Sequence, residues 1–106
     1  MMQFIDLRKE LKNVVFKELR QDCDDYFEAV VVKDELLKLT LALDKFLGPA
    51  ISPSELPKGM ENTIGKFGGI MKGQILYFKD QASDKIIAML WLWQDREHTT
   101  VKIIKK

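Results

Sequence analysis

The apolar run Ile86-Ile87-Ala88-Met89-Leu90-Trp91-Leu92-Trp93 decides the fold that we expect for this chain. A run of this length is far shorter than the roughly 18 residues that a membrane-spanning helix needs. Its branched and aromatic side chains are typical of a β-strand. Because side chains alternate between the two faces of a strand, this run gives its sheet two apolar faces instead of one.

Two further strands are predicted on either side of this run. Residues 74 to 79 precede it and residues 99 to 105 follow it, and both are rich in β-branched or aromatic residues. The polar segments Asp80 to Asp84 and Asp95 to His98 have the composition of turns. The C-terminal third of the chain is therefore predicted to be an antiparallel meander.

The N-terminal third is predicted to contain one helix and one strand. Apolar residues recur at three- and four-residue spacing from Phe4 to Leu19, which favours an amphipathic helix from Phe4 to Gln21. Aspartates at 22, 24 and 25 are expected to end that helix. The segment Tyr26 to Lys33 contains a β-branched run and is predicted to be a strand, whose position in the sheet is left open.

A second helix is predicted from the N-cap Asp34 to Leu47, where Gly48 and Pro49 stop it. Its leucines cover well over half of its circumference, so it is expected to need more than one packing partner. After a proline-rich connector, a short third helix is predicted around Met60 to Phe67.

These elements predict an α+β fold in a single domain of residues 1–106. The expected order is α-β-α-α-β-β-β. The expected architecture is a two-layer sandwich, with two main helices and the short third helix packed on a four-stranded, mostly antiparallel sheet.

Composition excludes several classes of function. Lys and Arg number 17 and Asp and Glu 16, which gives a net charge of +1. So small a charge does not create the field that nucleic acids or anionic membranes attract, so neither is expected as a partner. Lys102 and Lys105 in the last predicted strand are typical of a charged edge strand that resists aggregation.

The cellular compartment is predicted from the cysteine count and the first residues. Cys23 is the single cysteine, so the chain has no intramolecular disulfide. The first ten residues lack the basic flank and apolar run of a secretory signal. We therefore expect a cytoplasmic protein.

Three groups of residues are candidates for a chemical site. Lys66, Gly68, Gly69 and Lys72 form a candidate anion site, because glycines let backbone N–H groups approach a phosphate. Their spacing matches neither common phosphate-loop motif and is more typical of a helix stop. Asp22 to Asp25 lacks the spacing of a calcium loop, and Cys23 and His98 are too few for a structural zinc site, so no metal or cofactor is expected. His98 lies in a predicted turn without the partners of a catalytic histidine.

The two apolar surfaces point instead to an interaction function. The candidate interaction surface comprises Met89, Trp91, Trp93, Tyr77 and Phe46. Trp and Met are enriched at interface cores, so we predict a non-enzymatic protein-interaction module that forms a homodimer or binds another protein. It would use this sheet face or the second helix.

Two alternatives stay open at the sequence level. One is a small-ligand sensor or carrier with a pocket between the sheet and residues 48–72. In a purely structural explanation of the apolar face, the same segment covers Trp91 and Trp93 within the chain. The other is a small enzyme whose active site is assembled from acids and lysines scattered along the sequence.

Overall fold

The computed structural model describes residues 4–52, 74–80 and 85–105, together with Glu55 and Gly65. Its elements are α1 (Phe4–Leu11), β1 (Phe16–Asp22), β2 (Tyr26–Val32), α2 (Lys33–Leu47), β3 (Ile75–Asp80), β4 (Lys85–Leu92) and β5 (His98–Lys105). The strands form one antiparallel sheet in the order β1-β2-β5-β4-β3. The predicted α+β class is confirmed, whereas the predicted four-stranded sheet is wrong because the sheet has five strands.

The additional strand comes from the second half of the predicted first helix. The helix ends at Leu11, and residues 16–22 pair with β2 so that Phe16 lies opposite Val31 and Leu19 opposite Ala29. The β-branched and aromatic residues at 14–16 have low helix propensity and fit a strand. The aspartates that were expected to end a helix belong instead to a hairpin, which the Cys23 amide closes by donating to the Tyr26 carbonyl at 2.8 Å.

The second helix has nearly the predicted bounds but a different N-terminus. Val32 is the N-cap residue and makes no side-chain capping bond, while Asp34 lies in the first turn, where an acid favours the helix dipole. Gly48 ends the helix with a φ of 82°, a left-handed conformation that glycine adopts without strain, and its amide donates to the Asp44 carbonyl. The predicted glycine stop is therefore confirmed.

Both helices pack on one side of the sheet, which we call the helix-covered face. Leu7 and Leu11 of α1, Leu39 and Leu43 of α2, and Leu90 of β4 are fully buried there or nearly so. The remaining strand residues of this core are Phe27, Ala29, Val31, Tyr77, Ile86, Ala88, Val101 and Ile103. The two-layer arrangement follows because each helix presents one apolar stripe to one apolar sheet face.

The last strand, β5, lies at the centre of the sheet between β2 and β4. Lys102 and Lys105 are therefore not the charges of an edge strand, and that interpretation is wrong. The edges are β1 and β3. The Ile51 amide donates to the Leu76 carbonyl at 2.8 Å, so β3 has a partner at that point.

The predicted third helix around Met60 to Phe67 lies outside the described residues, apart from Gly65. Among the helices that are described, none combines the length and the hydropathy needed to cross a membrane.

Candidate interaction surface

The sheet face opposite the helices, here the second face, carries a small apolar cluster. Leu76, Ile87, Met89 and Ile104 are buried in it, and Trp91 and Ile51 pack against its margin. The alternation predicted for the run that starts at Ile86 is therefore correct as far as Trp91. Met89 has no exposed surface in the monomer, so it is not available to a partner.

The two tryptophans differ from Met89 because both reach the surface. Trp91 is half-buried and has the Lys102 ammonium 5.0 Å from its ring centroid. Trp93 is 39% exposed, and its indole N–H donates to the Thr100 hydroxyl at 2.8 Å. Neighbours within the chain therefore engage both indoles, while part of Trp93 stays exposed.

His98 packs against Trp93, with ring centroids 4.8 Å apart, and links two distant parts of the chain. Its Nδ1 contacts the Asp95 carboxylate at 2.6 Å, and its Nε2 lies 2.9 Å from the Lys17 ammonium in β1. Because an ammonium only donates hydrogen bonds, Nε2 accepts and the ring proton is on Nδ1. The Glu97 amide and His98 lower the pKa of Asp95.

This arrangement contains the carboxylate and histidine of a catalytic dyad, and both side chains have hydrogen-bond partners within the chain. Nε2, the atom that would act as a general base, is occupied by Lys17. Thr100, two residues along the same strand, already accepts from Trp93. We interpret the contacts of His98 with Asp95 and Lys17 as holding the β4–β5 turn against β1.

A second polar group on this face centres on Glu28 in β2. Tyr26 donates to Glu28 at 2.5 Å and Arg20 in β1 donates to it at 3.2 Å. Burial opposes ionisation of Glu28, but these hydrogen bonds and the charge of Lys102 outweigh it and lower the Glu28 pKa. Glu28 is therefore held in its charged form, and basic side chains of the same chain offset its charge.

The other two members of the candidate surface, Tyr77 and Phe46, lie on the helix-covered side. Tyr77 is buried and hydrogen-bonds to Asp44 of α2. Burial, followed by this bond, raises the pKa of Tyr77 to about 12. Phe46 is half-buried against the main core. The five predicted residues therefore do not form one surface.

The remaining chemical candidates yield no site in the described structure. Lys66, Gly68, Gly69 and Lys72 of the candidate anion site lie outside the described residues, as does most of the segment 48–72 that would line a carrier pocket. Within the described ranges, His, Cys, Asp and Glu do not cluster in a way that could hold a metal ion. Cys23 is exposed and accepts a hydrogen bond from Gln21.

The second helix carries the most exposed of the large apolar side chains in the described helices. Leu37 is 67% exposed and Leu41 57% exposed, one turn apart on the side of α2 that faces away from the sheet. Asp34, Lys38 and Lys45 flank them and are also exposed. We call these five residues the outer stripe of α2.

A groove between α1 and α2 extends this apolar surface sideways. Leu41 forms part of its wall with Val14 and Ala42, and the groove encloses about 280 Å³. Its polar rim includes Glu10 and Lys45, whose charged atoms are 3.8 Å apart. An apolar centre with a polar rim is the usual anatomy of a protein-interaction surface.

Sequence reasoning identified the excess of leucine in the second helix but not which leucines stay exposed. Leu39, Leu43 and Leu47, at four-residue spacing, are the buried set, and Leu37 and Leu41 form a second set on another side of the helix. The regular spacing of both sets was present in the sequence. Only the position of the sheet distinguishes the inner set from the outer one.

No family model, no curated protein and no solved structure matches this chain.

Proposed function

We propose that this chain is a non-enzymatic protein-interaction module that self-associates through the outer stripe of α2. The observation that carries the proposal is the exposure of Leu37 and Leu41, one turn apart and beside an apolar groove. Large apolar side chains that recur on one side of a helix and stay exposed favour a packing partner.

The second face of the sheet is a poorer candidate for this role. Met89 is buried, and the indoles of Trp91 and Trp93 contact Lys102, Thr100 and His98 of the same chain. Leu37 and Leu41 are more exposed than either indole.

A second copy of the chain fits the outer stripe because the stripe matches itself. It has an acid, Asp34, at one end and a base, Lys45, at the other, with the two leucines between them. A twofold axis brings the same patch of both copies together, so one copy can supply the charges that the other needs. With two leucines per copy, the area falls short of the roughly 800 Å² per partner of stable interfaces. The expected dimer is therefore weak and depends on concentration.

Light scattering over a wide concentration range tests the proposal. The mass of the wild-type protein is expected to rise from monomer towards dimer. The double variant L37Q/L41Q is expected to stay monomeric, because Gln removes the apolar contact while keeping a high helix propensity. The matched control is Ile5→Gln, which replaces an exposed apolar residue of α1 and is expected to dimerise normally.

Two results would contradict the proposal. The first is a wild type that stays monomeric at the highest concentration. The second is a dimer that survives L37Q/L41Q but dissociates in Trp93→Gln, because that result would locate the interface on the second face of the sheet.

A further inference from the structure

We infer that two copies pair their α2 helices antiparallel, with Asp34 of each copy against Lys45 of the other. This inference rests on the proposed function and adds the direction and the register of the contact. It also identifies the charges that select a second copy as the partner.

The four positions that matter lie on one side of the helix. With 3.6 residues per turn, residue 41 lies almost above residue 34, residue 45 is close to the same line, and residue 37 lies about 60° to one side. All four side chains are exposed. Asp34 and Lys45 are 11 residues apart, which is about 16 Å along the axis.

Charge decides the direction of the pair. A parallel arrangement about a twofold axis would bring each Asp34 against the Asp34 of the partner and each Lys45 against its Lys45, and both contacts are repulsive. An antiparallel arrangement brings each Asp34 against a Lys45, which gives two opposite-charge pairs. Like charges across an interface suppress the wrong arrangement.

The same register also brings the exposed leucines of the two copies into contact. If Asp34 lies level with Lys45 of the second copy, the twofold axis passes between positions 39 and 40. Leu37 then comes within one residue, about 1.5 Å along the axis, of Leu41 in the other copy. The pairing repeats by symmetry, so four leucines form a continuous seam between the two charge pairs.

The other charges near the seam are compatible with this register. Lys38 forms a salt bridge with Glu35 of its own helix at 3.3 Å. The negative charge of Glu35 offsets the repulsion between Lys38 and the Lys38 of the other copy. Lys45 contacts Glu10 at the longer distance of 3.8 Å and has its ammonium 5.4 Å from the centroid of the Phe46 ring. Its side chain is 66% exposed, so pairing with Asp34 of the other copy would replace weak, exposed contacts. Asp44 is exposed, and its carboxylate accepts a hydrogen bond from Tyr77 of β3.

Charge reversal in solution tests the register. Asp34→Lys and Lys45→Asp are each expected to raise the dimer dissociation constant by about 5-fold, since each turns two exposed attractive pairs into repulsive ones. The double variant D34K/K45D restores opposite charges and is expected to return to within about twofold of wild type. Lys12→Asp, an exposed charge reversal away from α2, is the matched control and is expected to change nothing.

The double variant also separates this inference from a folding defect. Each reversal places a charge of the unfavourable sign at one end of α2. Each therefore destabilises the helix through its interaction with the helix dipole. The double variant carries both of these penalties, so recovery of dimerisation in it has no explanation in helix stability. Circular dichroism confirms that every variant is folded before it is compared.

The outcomes distinguish the two proposals. A dimer that is lost in L37Q/L41Q but is insensitive to charge reversal would overturn the antiparallel register and leave the proposed function in place. A double variant no better than the single ones would overturn the register as well. A wild type that is monomeric throughout would overturn both proposals.

Discussion

The indole N–H of Trp93 donates a 2.8 Å hydrogen bond to the hydroxyl of Thr100, and this bond holds the most exposed tryptophan against its own sheet. Thr100 is buried and lies opposite Trp91 in the β4–β5 ladder. The bond therefore links the end of β4 to the central strand. Together with the greater exposure of Leu37 and Leu41, it favours α2 over the tryptophans as the proposed interaction surface.

We expect the Trp93–Thr100 bond to stabilise the fold by about 1 kcal/mol, the usual net value for one hydrogen bond. Thr100→Val removes the acceptor while conserving shape, and Trp93→Phe removes the donor. Urea denaturation of both single variants and the double variant forms a cycle that isolates the pair. Fully additive losses would mean that the bond contributes nothing, and neither single variant is expected to alter dimerisation.

A matched pair of leucines in α2 separates core from surface. Leu43→Ala removes a fully buried side chain and is expected to cost about 2–5 kcal/mol of unfolding free energy. Leu41→Ala removes an exposed one and is expected to change the free energy of unfolding of the monomer by less than about 0.5 kcal/mol. Chemical denaturation at low protein concentration measures both. Equal losses would show that Leu41 is also a core residue.

The response to acid should depend on Glu28. Its folded-state pKa is lowered, so its contribution to stability is present above its ordinary value of 4.5 and is lost as the pH falls through the lower folded value. Denaturation at pH 7 and at successively lower pH is expected to show a falling stability. In Glu28→Gln the free energy should start lower at pH 7 and fall less. Parallel curves for the two proteins would contradict the network on the second face.

The response to alkali should depend on the two tyrosines. Burial raises the pKa of Tyr77 to about 12 and raises that of Tyr26 as well. The resulting stability is present below the ordinary value of 10 and is lost as the pH rises through the folded values. Tyrosinate absorbance should therefore stay low at pH 10.5 in the folded protein and appear only as it unfolds. Substantial ionisation at pH 10.5 in protein that is still folded would contradict this.

Local pattern was a good guide to the C-terminal meander and a poor one to the N-terminal third. The run around Met89 and Leu90 has no helical periodicity to compete with its β-propensity, so its strand and its two faces were predicted correctly. Between Val14 and Leu19 the apolar spacing fits a helix, but pairing with β2 outweighs it, and that pairing is not visible in a local window.

For a similar reason, the sequence could not show which residues of the candidate interaction surface are exposed. An apolar residue in a strand shows which face it shares with its neighbours, but not what covers that face. Met89 and Tyr77 are residue types that are enriched at interfaces. Both are nevertheless buried within the monomer. The exposure of Leu37 and Leu41 depends on which side of α2 packs on the sheet, and the sequence of the helix alone does not show that side.

The most direct test of the α2 interface is an isotope-filtered NOE experiment on a mixture of labelled and unlabelled protein, at a concentration where light scattering finds dimer. Intermolecular contacts are expected between the methyl groups of Leu37 in one copy and those of Leu41 in the other. Intermolecular contacts to Trp93, with none to these two leucines, would contradict the α2 interface.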